Sequence, residues 1–550
     1  MNYEDILQSI GGIGRFQKTQ LFFVFIAIIP FTWITLSNTF FAAVSDYYCR
    51  VLDNQTYEHN SEIKNITIPY YYDGDEIVWE SCLRYNLDDN TSSLFDVNDT
   101  DEYSQCDDGW VYEQTKFSHT FVTEFDLVCN KAWLKQLCKV TVAIGLFIGS
   151  LAYGQLSDMF GRRITYISSL LFALVFNAVL CFMPSFALVI SAQFVMTILT
   201  MGVYLVGCVI VVEVVSSAYE PLAVILCEIA YTFGCITLGI MAYIMHGNWR
   251  RMQYINTISC IIFIPYCFFI KESARWLIQQ GRHDEAKDII KKIATLNGAV
   301  LDEALVDVTA FTEEKEPVVH HTAFELIRMP GLKVTTAIIC FNWFTVNLMY
   351  MGIAENTDYY FPGHPYAVFT LMGVFELPAI FLNWFWLNNQ PRKIVLVVVS
   401  VLSGVTWMVT GLTDIEAVII SFGILTKFLN QISYTSMYLL SMESFPTTVR
   451  NAGMGLAFGF QNVGALSAPY IVALMDVYYL IPFITMSALV VMSCSLIVFV
   501  PETYNTDLPE TMDDLPSRGS DGSNPTQVNE KDFLLKSTKP KRTEKGQESK

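Results

Sequence analysis

Long apolar runs recur along the chain and are separated by shorter polar stretches. The clearest runs are Leu21 to Phe41, Ile164 to Met183 and Ile481 to Val500. A bilayer core about 30 Å thick requires about 20 apolar residues in an α-helix, so each run predicts one membrane-spanning helix. Twelve spans are predicted, at residues 20–41, 138–156, 162–183, 187–214, 221–245, 252–270, 333–352, 366–387, 393–412, 416–441, 451–474 and 478–500.

Polar stretches divide these spans into groups. The segment from Arg282 to Leu296 alternates charged residues with Ile and Ala at helical spacing, which predicts short amphipathic helices on the membrane surface. The C-terminal stretch is rich in Ser, Lys, Glu and Pro, a composition typical of disorder. The predicted organisation is an N-terminal segment 1–19, a six-helix half 20–270 with a large loop 42–137, a linker 271–332, a second half 333–500 and a tail 501–550.

Composition agrees with a membrane protein. Of the 550 residues, 53% are hydrophobic and 16% are charged, which is too apolar for an ordinary soluble domain. The formal net charge is -19, but many of the acidic residues lie in the large loop and are expected to be solvated there.

The large loop carries features of an extracellular segment. It holds four glycosylation sequons and an even set of four cysteines, so we expect glycans and two disulfides in an oxidising compartment. Sequence alone leaves the disulfide pairing open. The sequons begin at Asn54, Asn65, Asn90 and Asn98, and the cysteines are Cys49, Cys82, Cys106 and Cys129.

The short loops indicate the orientation of the chain. Lys and Arg concentrate in cytoplasmic loops of membrane proteins. The basic residues that define this side are Arg162, Arg163, Arg275, Arg282, Arg392 and Lys393. Because these connections are predicted to be cytoplasmic, the large loop is predicted to lie outside the cell.

The two sets of six spans repeat each other at an offset of 230 residues. Glu213 matches Glu443, and Glu272 matches Glu502 at this spacing. The basic pair that follows the second span matches the pair that follows the eighth. Repeats of this kind are typical of transporters whose substrate site lies near the bilayer midplane between the halves. The repeat therefore favours transport.

The connection after the second span carries a specific motif. It reads Gly154-Gln155-Leu156-Ser157-Asp158-Met159-Phe160-Gly161-Arg162-Arg163 and resembles the signature loop of the major facilitator superfamily. Four further segments resemble its organic cation, carnitine and organic anion transporter family: Phe121–Cys129, Glu272–Arg282, Glu443–Asn451 and Pro501–Thr503.

The resemblance implies an all-α membrane fold of twelve transmembrane helices in two six-helix halves, and transport by alternating access at the plasma membrane. It also implies that the loop after the second helix latches the halves together in the outward-facing state. The gating residues it implies are Asp158, Arg162, Arg163, Glu213, Arg275, Glu443 and Arg450.

Two acidic residues lie inside predicted spans. A carboxylate at a helix centre costs roughly 2.5 to 3.5 kcal/mol on insertion scales, so it usually faces a cavity and has a function. Glu376 matches an acidic position that cation and carnitine relatives carry near their binding cavity, whereas Glu228 falls where cation carriers have glutamine. The alternative is that one acid is protonated or pairs with Lys427, which lies near the predicted start of the tenth span.

Other positions refine the predicted substrate. Asn462 lies where cation carriers have an acid and anion or carnitine carriers have a base, which disfavours anion transport and leaves room for a zwitterion. Gln193 replaces an arginine that some superfamily members couple to proton movement, which favours voltage-driven uptake. The resemblance aligns four more residues with the cavity: Tyr204, Cys208, Tyr350 and Thr435.

The sequence predicts a transporter of small organic cations or zwitterions. Its expected partners are the substrate and the lipid bilayer, with a homo-oligomer possible and with no cofactor, metal or nucleic acid. An enzyme is disfavoured because no nucleophile–base or metal-ligand cluster falls at helical spacing. Three alternatives stay open: an organic anion carrier, a sugar-type carrier, and a nontransporting substrate sensor on the same fold.

Overall fold

The computed structural model describes residues 3–10, 12–52, 55–58, 61–73, 76–85, 103–216, 219–299, 332–361, 363–445 and 450–503. The predicted disordered tail beyond residue 503 and the sequons at Asn54, Asn90 and Asn98 lie outside these residues.

Twelve helices of the described chain correspond to the twelve predicted spans. In chain order they are α1 (Arg15–Leu36), α2 (Trp133–Phe160), α3 (Arg162–Leu180), α4 (Phe186–Val214), α5 (Glu220–Ile244), α6 (Trp249–Cys260), α7 (Lys333–Ala354), α8 (Pro365–Asn389), α9 (Arg392–Leu412), α10 (Glu416–Ser444), α11 (Arg450–Ala473) and α12 (Ile481–Ile497). Shorter helices cover Tyr3–Ser9, Asn38–Phe41, Glu62–Thr67, Phe121–Phe125, Tyr266–Phe269, Ala274–Gln279, His283–Asn297 and Thr357–Tyr360.

Several helices differ from their predicted bounds, and three differ most. α1 begins at Arg15 rather than at residue 20 and ends at Leu36 rather than at residue 41. α2 begins at Trp133 rather than at residue 138, so it extends further into the large loop. The predicted span 252–270 is not one helix: α6 ends at Cys260 and is followed by a 3-10 turn and the short helix Tyr266–Phe269. Pro265 immediately precedes that short helix, and proline disrupts a continuous helix because it has no backbone N–H.

The helices are suited to a lipid environment. Within the described ranges, ten helices are long and apolar enough to cross a membrane, and α12 is a shorter apolar helix of 17 residues. Large apolar side chains point away from the protein interior, among them Phe172, Phe182 and Phe385, which are 52%, 75% and 64% exposed. Many large apolar side chains exposed on membrane-length helices indicate contact with lipid. The described chain is therefore an all-α membrane fold.

The helices form two halves that meet along two seams. In the first half α4 packs against α1, α2 and α3, and in the second half α7 packs against α11 while α9 packs against α10 and α12. The seams between the halves are α5 against α8 and α2 against α11. Because α10 packs against α8, residues on α5, α8 and α10 can line one shared cavity.

A buried ion cluster closes one side of the first half. The guanidinium of Arg162 lies 2.9 Å from Glu213 Oε1, and the backbone N–H of Arg162 donates to Glu272 Oε1 at 2.8 Å. The cluster ties the start of α3 to the end of α4 and to the beginning of the linker. Gly161 precedes it with φ +96°, a conformation that favours glycine, and a Cβ there would lie 2.6 Å from a Glu272 oxygen.

The second half contains the same cluster 230 residues later. Arg392 Nε lies 3.4 Å from Glu443 Oε2, and the backbone N–H of Arg392 donates to Glu502 Oε1 at 3.0 Å. The matching contacts confirm that the offset found in the sequence is a repeat of structure. The halves therefore share one topology.

The large loop folds into three two-stranded antiparallel sheets, in which β1 pairs with β6, β2 with β3 and β4 with β5. Disulfides join Cys49 to Cys106 and Cys82 to Cys129. Asn65 is exposed, as a glycan acceptor must be. The strands are β1 (Tyr47–Cys49), β2 (Tyr70–Asp73), β3 (Glu76–Trp79), β4 (Leu83–Tyr85), β5 (Tyr103–Gln105) and β6 (Trp110–Tyr112).

The segment Phe121–Cys129, which ends the loop, is anchored to the first half. Glu124 accepts a hydrogen bond from Trp249 Nε1 at 2.7 Å and pairs with Arg250 at the start of α6. Glu124 therefore has a structural role, since it fastens the end of the loop to the start of α6. We call the face of the bundle that carries residues 42–132 the loop side, and the face that carries the two arginine clusters the cluster side.

The linker begins with the predicted amphipathic helices. His283–Asn297 buries Ala286, Ile290, Ile293 and Ala294, which confirms the helical alternation seen in the sequence. Asn297 accepts from the backbone N–H of Phe16 at 3.0 Å, so this helix is fixed against the start of α1.

Candidate functional site

An acid–base pair lies inside the second half. Lys427 Nζ is 3.4 Å from Glu376 Oε1, and the two side chains are 3% and 2% exposed. Lys427 lies about three turns into α10, deeper than the position near the helix start that the sequence suggested. Among the alternatives that the sequence left open for Glu376, the structure shows the pair with Lys427, because α8 packs against α10 and brings the two charges together.

Tyr350 completes this pair. Its hydroxyl donates to Glu376 Oε2 at 3.5 Å, and its backbone carbonyl accepts from Lys427 Nζ at 3.2 Å. The ammonium also lies over the Tyr350 ring, 2.9 Å from the ring centroid. The predicted cavity residue Tyr350 therefore holds both charged side chains in place.

Glu228 has a different environment. Its Oε2 accepts a hydrogen bond from Thr435 Oγ1 at 3.2 Å. Glu228 lies on α5 in the first half and Thr435 on α10 in the second, so the bond crosses between the halves. Because the partner is a neutral hydroxyl, an ionised Glu228 keeps its full charge for another ligand.

Aromatic and amide side chains lie around these groups. Tyr204 stacks on Phe31 with ring centroids 4.9 Å apart, and Tyr434 lies 5.9 Å from Tyr350. Gln461 Nε2 donates to the Tyr434 hydroxyl at 3.1 Å. Tyr434 and Gln461 were not predicted, because nothing in a single sequence separates them from packing residues.

Two other predicted residues, Asn462 and Cys208, are half-buried. Asn462 donates to the Phe458 carbonyl of its own helix at 2.9 Å and is half-buried. Cys208 is half-buried and forms a side-chain contact with Cys227, which precedes Glu228. Asn462 is thus held by α11, and no contact joins it to the acidic residues in the described part of the chain.

A small cavity lies beside the acid–base pair. It extends from the pair toward the loop side, where Leu36, Ala354 and Phe369 form its end. The cavity is lined by Leu36, Cys235, Tyr350, Ala354, Phe369, Met372, Gly373, Glu376 and Lys427. Because the lining comes from α1, α5, α7, α8 and α10, both halves contribute to it.

The halves are in contact across the loop side. The Tyr366 hydroxyl donates to the Lys116 carbonyl at 2.8 Å, and Phe40 packs on Tyr366 and Phe369 with centroids 5.4 and 5.1 Å apart. Lys139 on α2 donates to Asn356 Oδ1 and to the Glu355 carbonyl, beyond the end of α7. The cavity is therefore covered on this side.

The predicted gating residues gather on the cluster side. Arg162 pairs with Asp158 and Glu213 of its own half, and Arg275 lies 3.9 Å from Glu220. The implied latch joins the halves only when the cluster side is closed, whereas this structure is closed on the loop side. Arg163 contributes its backbone N–H to Glu272, and Glu443 pairs within the second half. Arg450 begins α11, but its side chain lies outside the described set.

Lys139 is a buried charge between the two halves that the sequence analysis missed. It lies well inside α2 and is 3% exposed. Because the predicted helix began at residue 138, a lysine there looked like an ordinary boundary residue. The spacing of apolar residues around Lys135 to Cys138 was the available signal, since it extends the helix back toward Trp133.

The chain resembles known proteins along nearly its whole length. A sequence model of the Major Facilitator Superfamily matches residues 137–469. "Organic cation transporter protein" of Drosophila melanogaster is 30% identical over 528 residues, with 94% of each chain covered. "Organic cation/carnitine transporter 2" of Homo sapiens is 28% identical over 532 residues, with 94% of each chain covered.

Solved structures agree in fold. A partially occluded inward-open conformation of the xylose transporter XylE from E. coli has a TM-score of 0.60 at 13% sequence identity, covering 90% of this chain and 100% of that chain. At this identity the likeness concerns the fold alone. The family match and the full-length relatives go further: this chain is a membrane transporter and not an enzyme, and it belongs to the major facilitator superfamily, in the family of organic cation and carnitine transporters.

Proposed function

We propose that this protein carries small organic cations or zwitterions across the plasma membrane by alternating access. The observation that carries the proposal is the set of Glu228, Glu376 and Lys427 where the two halves meet, in which Glu228 is half-buried and the other two are buried. With all three ionised, the set has one negative charge in excess. A site of this charge attracts a positively charged group and does not suit a simple anion.

Glu228 is the main charge-selecting residue in this proposal. The charge of Glu376 is offset by an ammonium at 3.4 Å, whereas Glu228 is held by a hydroxyl. An ammonium about 4 Å from Glu228 gains roughly 4 kcal/mol at an effective dielectric of 20, before the cost of desolvation. Even part of this energy selects a cationic head group over a neutral one.

Lys427 gives the site a capacity that a purely acidic cavity lacks. Its ammonium can turn from Glu376 to a substrate carboxylate, and the freed Glu376 can then accept a substrate ammonium. A zwitterion thus exchanges one ion pair for two and leaves no buried charge without a partner. The tyrosines at positions 204, 350 and 434 supply ring faces for a quaternary ammonium, worth about 0.5 to 2 kcal/mol each.

Alternating access is supported by the repeat and by the Glu228–Thr435 bond. Rocking of one half against the other exposes a midplane site to each side in turn. The hydrogen bond between Glu228 on α5 and Thr435 on α10 must change length in that motion. A substrate that occupies Glu228 therefore affects the movement of the two halves. With the loop side outside the cell, the structure is closed to the outside.

Uptake of a labelled panel tests the proposal. The panel contains a permanent cation, a zwitterionic betaine and an organic anion of similar size, applied to cells that express the wild-type protein at a measured surface density. We expect saturable uptake of the cation or the betaine, and faster cation uptake at a more negative membrane potential, because one charge gains about 2.3 kcal/mol per 100 mV. Uptake of the anion alone, or no flux with the protein at the surface, would overturn the proposal.

A further inference from the structure

Lys139 joins the two halves through a buried ammonium. It lies on α2 in the first half and is 3% exposed. Its Nζ donates to the backbone carbonyl of Glu355 at 2.6 Å and to Asn356 Oδ1 at 2.5 Å, both directly beyond the end of α7 in the second half. Each bond spans more than two hundred residues of sequence, so it forms only when the halves meet on the loop side.

The second half presents acidic and oxygen-rich groups to this ammonium. Glu355 and Asp358 are the carboxylates that act on it electrostatically, and Lys135 is the nearby cation. Asp358 Oδ1 is buried without a hydrogen-bond partner among the described residues. A buried charge is stable only when such groups compensate it, so Lys139 depends on the second half for its environment.

The surrounding contacts are neutral. Thr39 Oγ1 donates to the Ala354 carbonyl at 3.4 Å, which is a long hydrogen bond, and Phe40 packs on Tyr366 and Phe369. Of the contacts described between the halves on the loop side, those of Lys139 are the ones with a charged donor. Hydrogen bonds to a charged group are stronger than neutral ones and more costly to break without replacement.

We propose that Lys139 is the lock of the loop side: its ammonium holds the halves together there and sets how often the cavity opens toward the outside. When the loop side opens, the bonds to Glu355 and Asn356 break and water replaces them. The inference rests on the alternating access proposed above, but it concerns the population of the two states rather than the substrate. Lys139 is therefore a positioning residue and not a substrate ligand.

Chemical labelling of a native cysteine tests the lock without substrate. Cys235 lines the cavity beneath the closure and is buried when the loop side is closed. Intact cells are treated with a membrane-impermeant thiol-reactive biotin reagent, and labelling of Cys235 is taken as the difference between each variant and the same variant carrying Cys235→Ala. The variants are Lys139→Met, Asn356→Asp and the control Lys131→Met, whose lysine is exposed near the start of α2.

The expected changes have opposite signs. Lys139→Met raises the rate of Cys235 labelling on the order of tenfold, because charged hydrogen bonds that favour closure are lost. Asn356→Asp lowers the rate below that of the wild-type protein, because a carboxylate holds the ammonium more strongly than an amide does. Lys131→Met leaves the rate unchanged. Misfolding alone cannot produce a decrease in one variant and an increase in another.

Two outcomes separate this inference from the proposed function. Equal labelling of the wild-type protein, Lys139→Met and Asn356→Asp, at equal surface density, overturns the lock even if cation uptake is normal. Substrate uptake is measured in the same cells. Opposite labelling shifts without uptake of any panel compound support the lock and contradict the proposed substrate class.

Discussion

The ammonium of Lys427 lies 3.4 Å from the carboxylate of Glu376, and both side chains are almost completely buried. One comes from α10 and the other from α8, so the pair fixes these two helices relative to each other. Breaking a buried pair by removing one partner is far more costly than replacing both, because a single substitution leaves an uncompensated charge. Removal of either partner alone is therefore expected to cost more than removal of both.

A double-mutant cycle on this pair should be strongly non-additive. Glu376→Gln and Lys427→Met are each expected to destabilise the protein by about 3 to 5 kcal/mol. The double variant should lose less than the sum of the single losses, since no buried charge remains. The measurement is thermal unfolding of the purified transporter in detergent. Additive losses would show that the two side chains do not act on each other.

The two acidic partners of Arg162 should contribute unequally to the stability of the protein. The side chain of Glu213 is 11% exposed and that of Asp158 is 71% exposed. Exposed ion pairs contribute about 0 to 1 kcal/mol, whereas removal of a buried partner costs several times more. Glu213→Gln is therefore expected to lower the melting temperature clearly and Asp158→Asn hardly at all. Equal effects of the two substitutions would contradict the structure.

The loop disulfides should behave as two independent pairs. Cys49→Ser, Cys106→Ser and the double variant are expected to reduce stability equally, by about 2 to 5 kcal/mol, since any of them removes one closed loop. Cys82→Ser and Cys129→Ser should form a second equivalent set. Cell-surface abundance and protease resistance of the loop measure this. A different result would contradict this pairing: Cys49→Ser and Cys82→Ser reduce stability equally, and the double variant Cys49→Ser/Cys82→Ser loses no more than either.

An added acid on α11 should shift selectivity. Asn462 is half-buried and its amide bonds only to its own helix in the described chain, so a carboxylate can replace it without breaking a contact between helices. Asn462→Asp is expected to raise the ratio of permanent-cation to betaine uptake by several-fold, because it adds negative charge to α11, which the family resemblance places beside the substrate path. Asn462→Gln is the neutral control. An unchanged ratio would place Asn462 outside the substrate path.

Much of the fold could be predicted because the hydrophobic pattern and the internal repeat can be read directly from the sequence. Apolar runs of membrane length and the 230-residue offset are properties of the chain itself, and the contacts of Arg162 and Arg392 confirm the repeat. The break at Pro265 was missed because the apolar composition continues through it. The start of α2 was missed because Lys131 and Lys135 resemble loop residues, and the buried Lys139 is only the second residue of the predicted span.

The site could be predicted only in part. The positions of Glu228 and Glu376 inside apolar runs make their charges costly, which predicts a functional role for them. Lys427 was a possible partner for either acid, but the sequence did not decide between Glu228 and Glu376, and it did not predict the bond from Thr435 to Glu228 in the opposite half. Such pairings depend on how helices rotate and pack, which periodicity does not determine. Disulfide pairing is similar, since four cysteines allow three connectivities.

The most direct test of the account concerns Glu228. Uptake of a permanent cation, a betaine and a neutral analogue is measured under voltage control for the wild-type protein, Glu228→Gln and the control Glu416→Gln, whose carboxylate is 65% exposed. Surface density is measured in the same cells. The account predicts that Glu228→Gln lowers cation uptake relative to the neutral analogue by at least about tenfold, equivalent to about 1.4 kcal/mol, while Glu416→Gln has no effect. Unchanged cation selectivity in Glu228→Gln would contradict it.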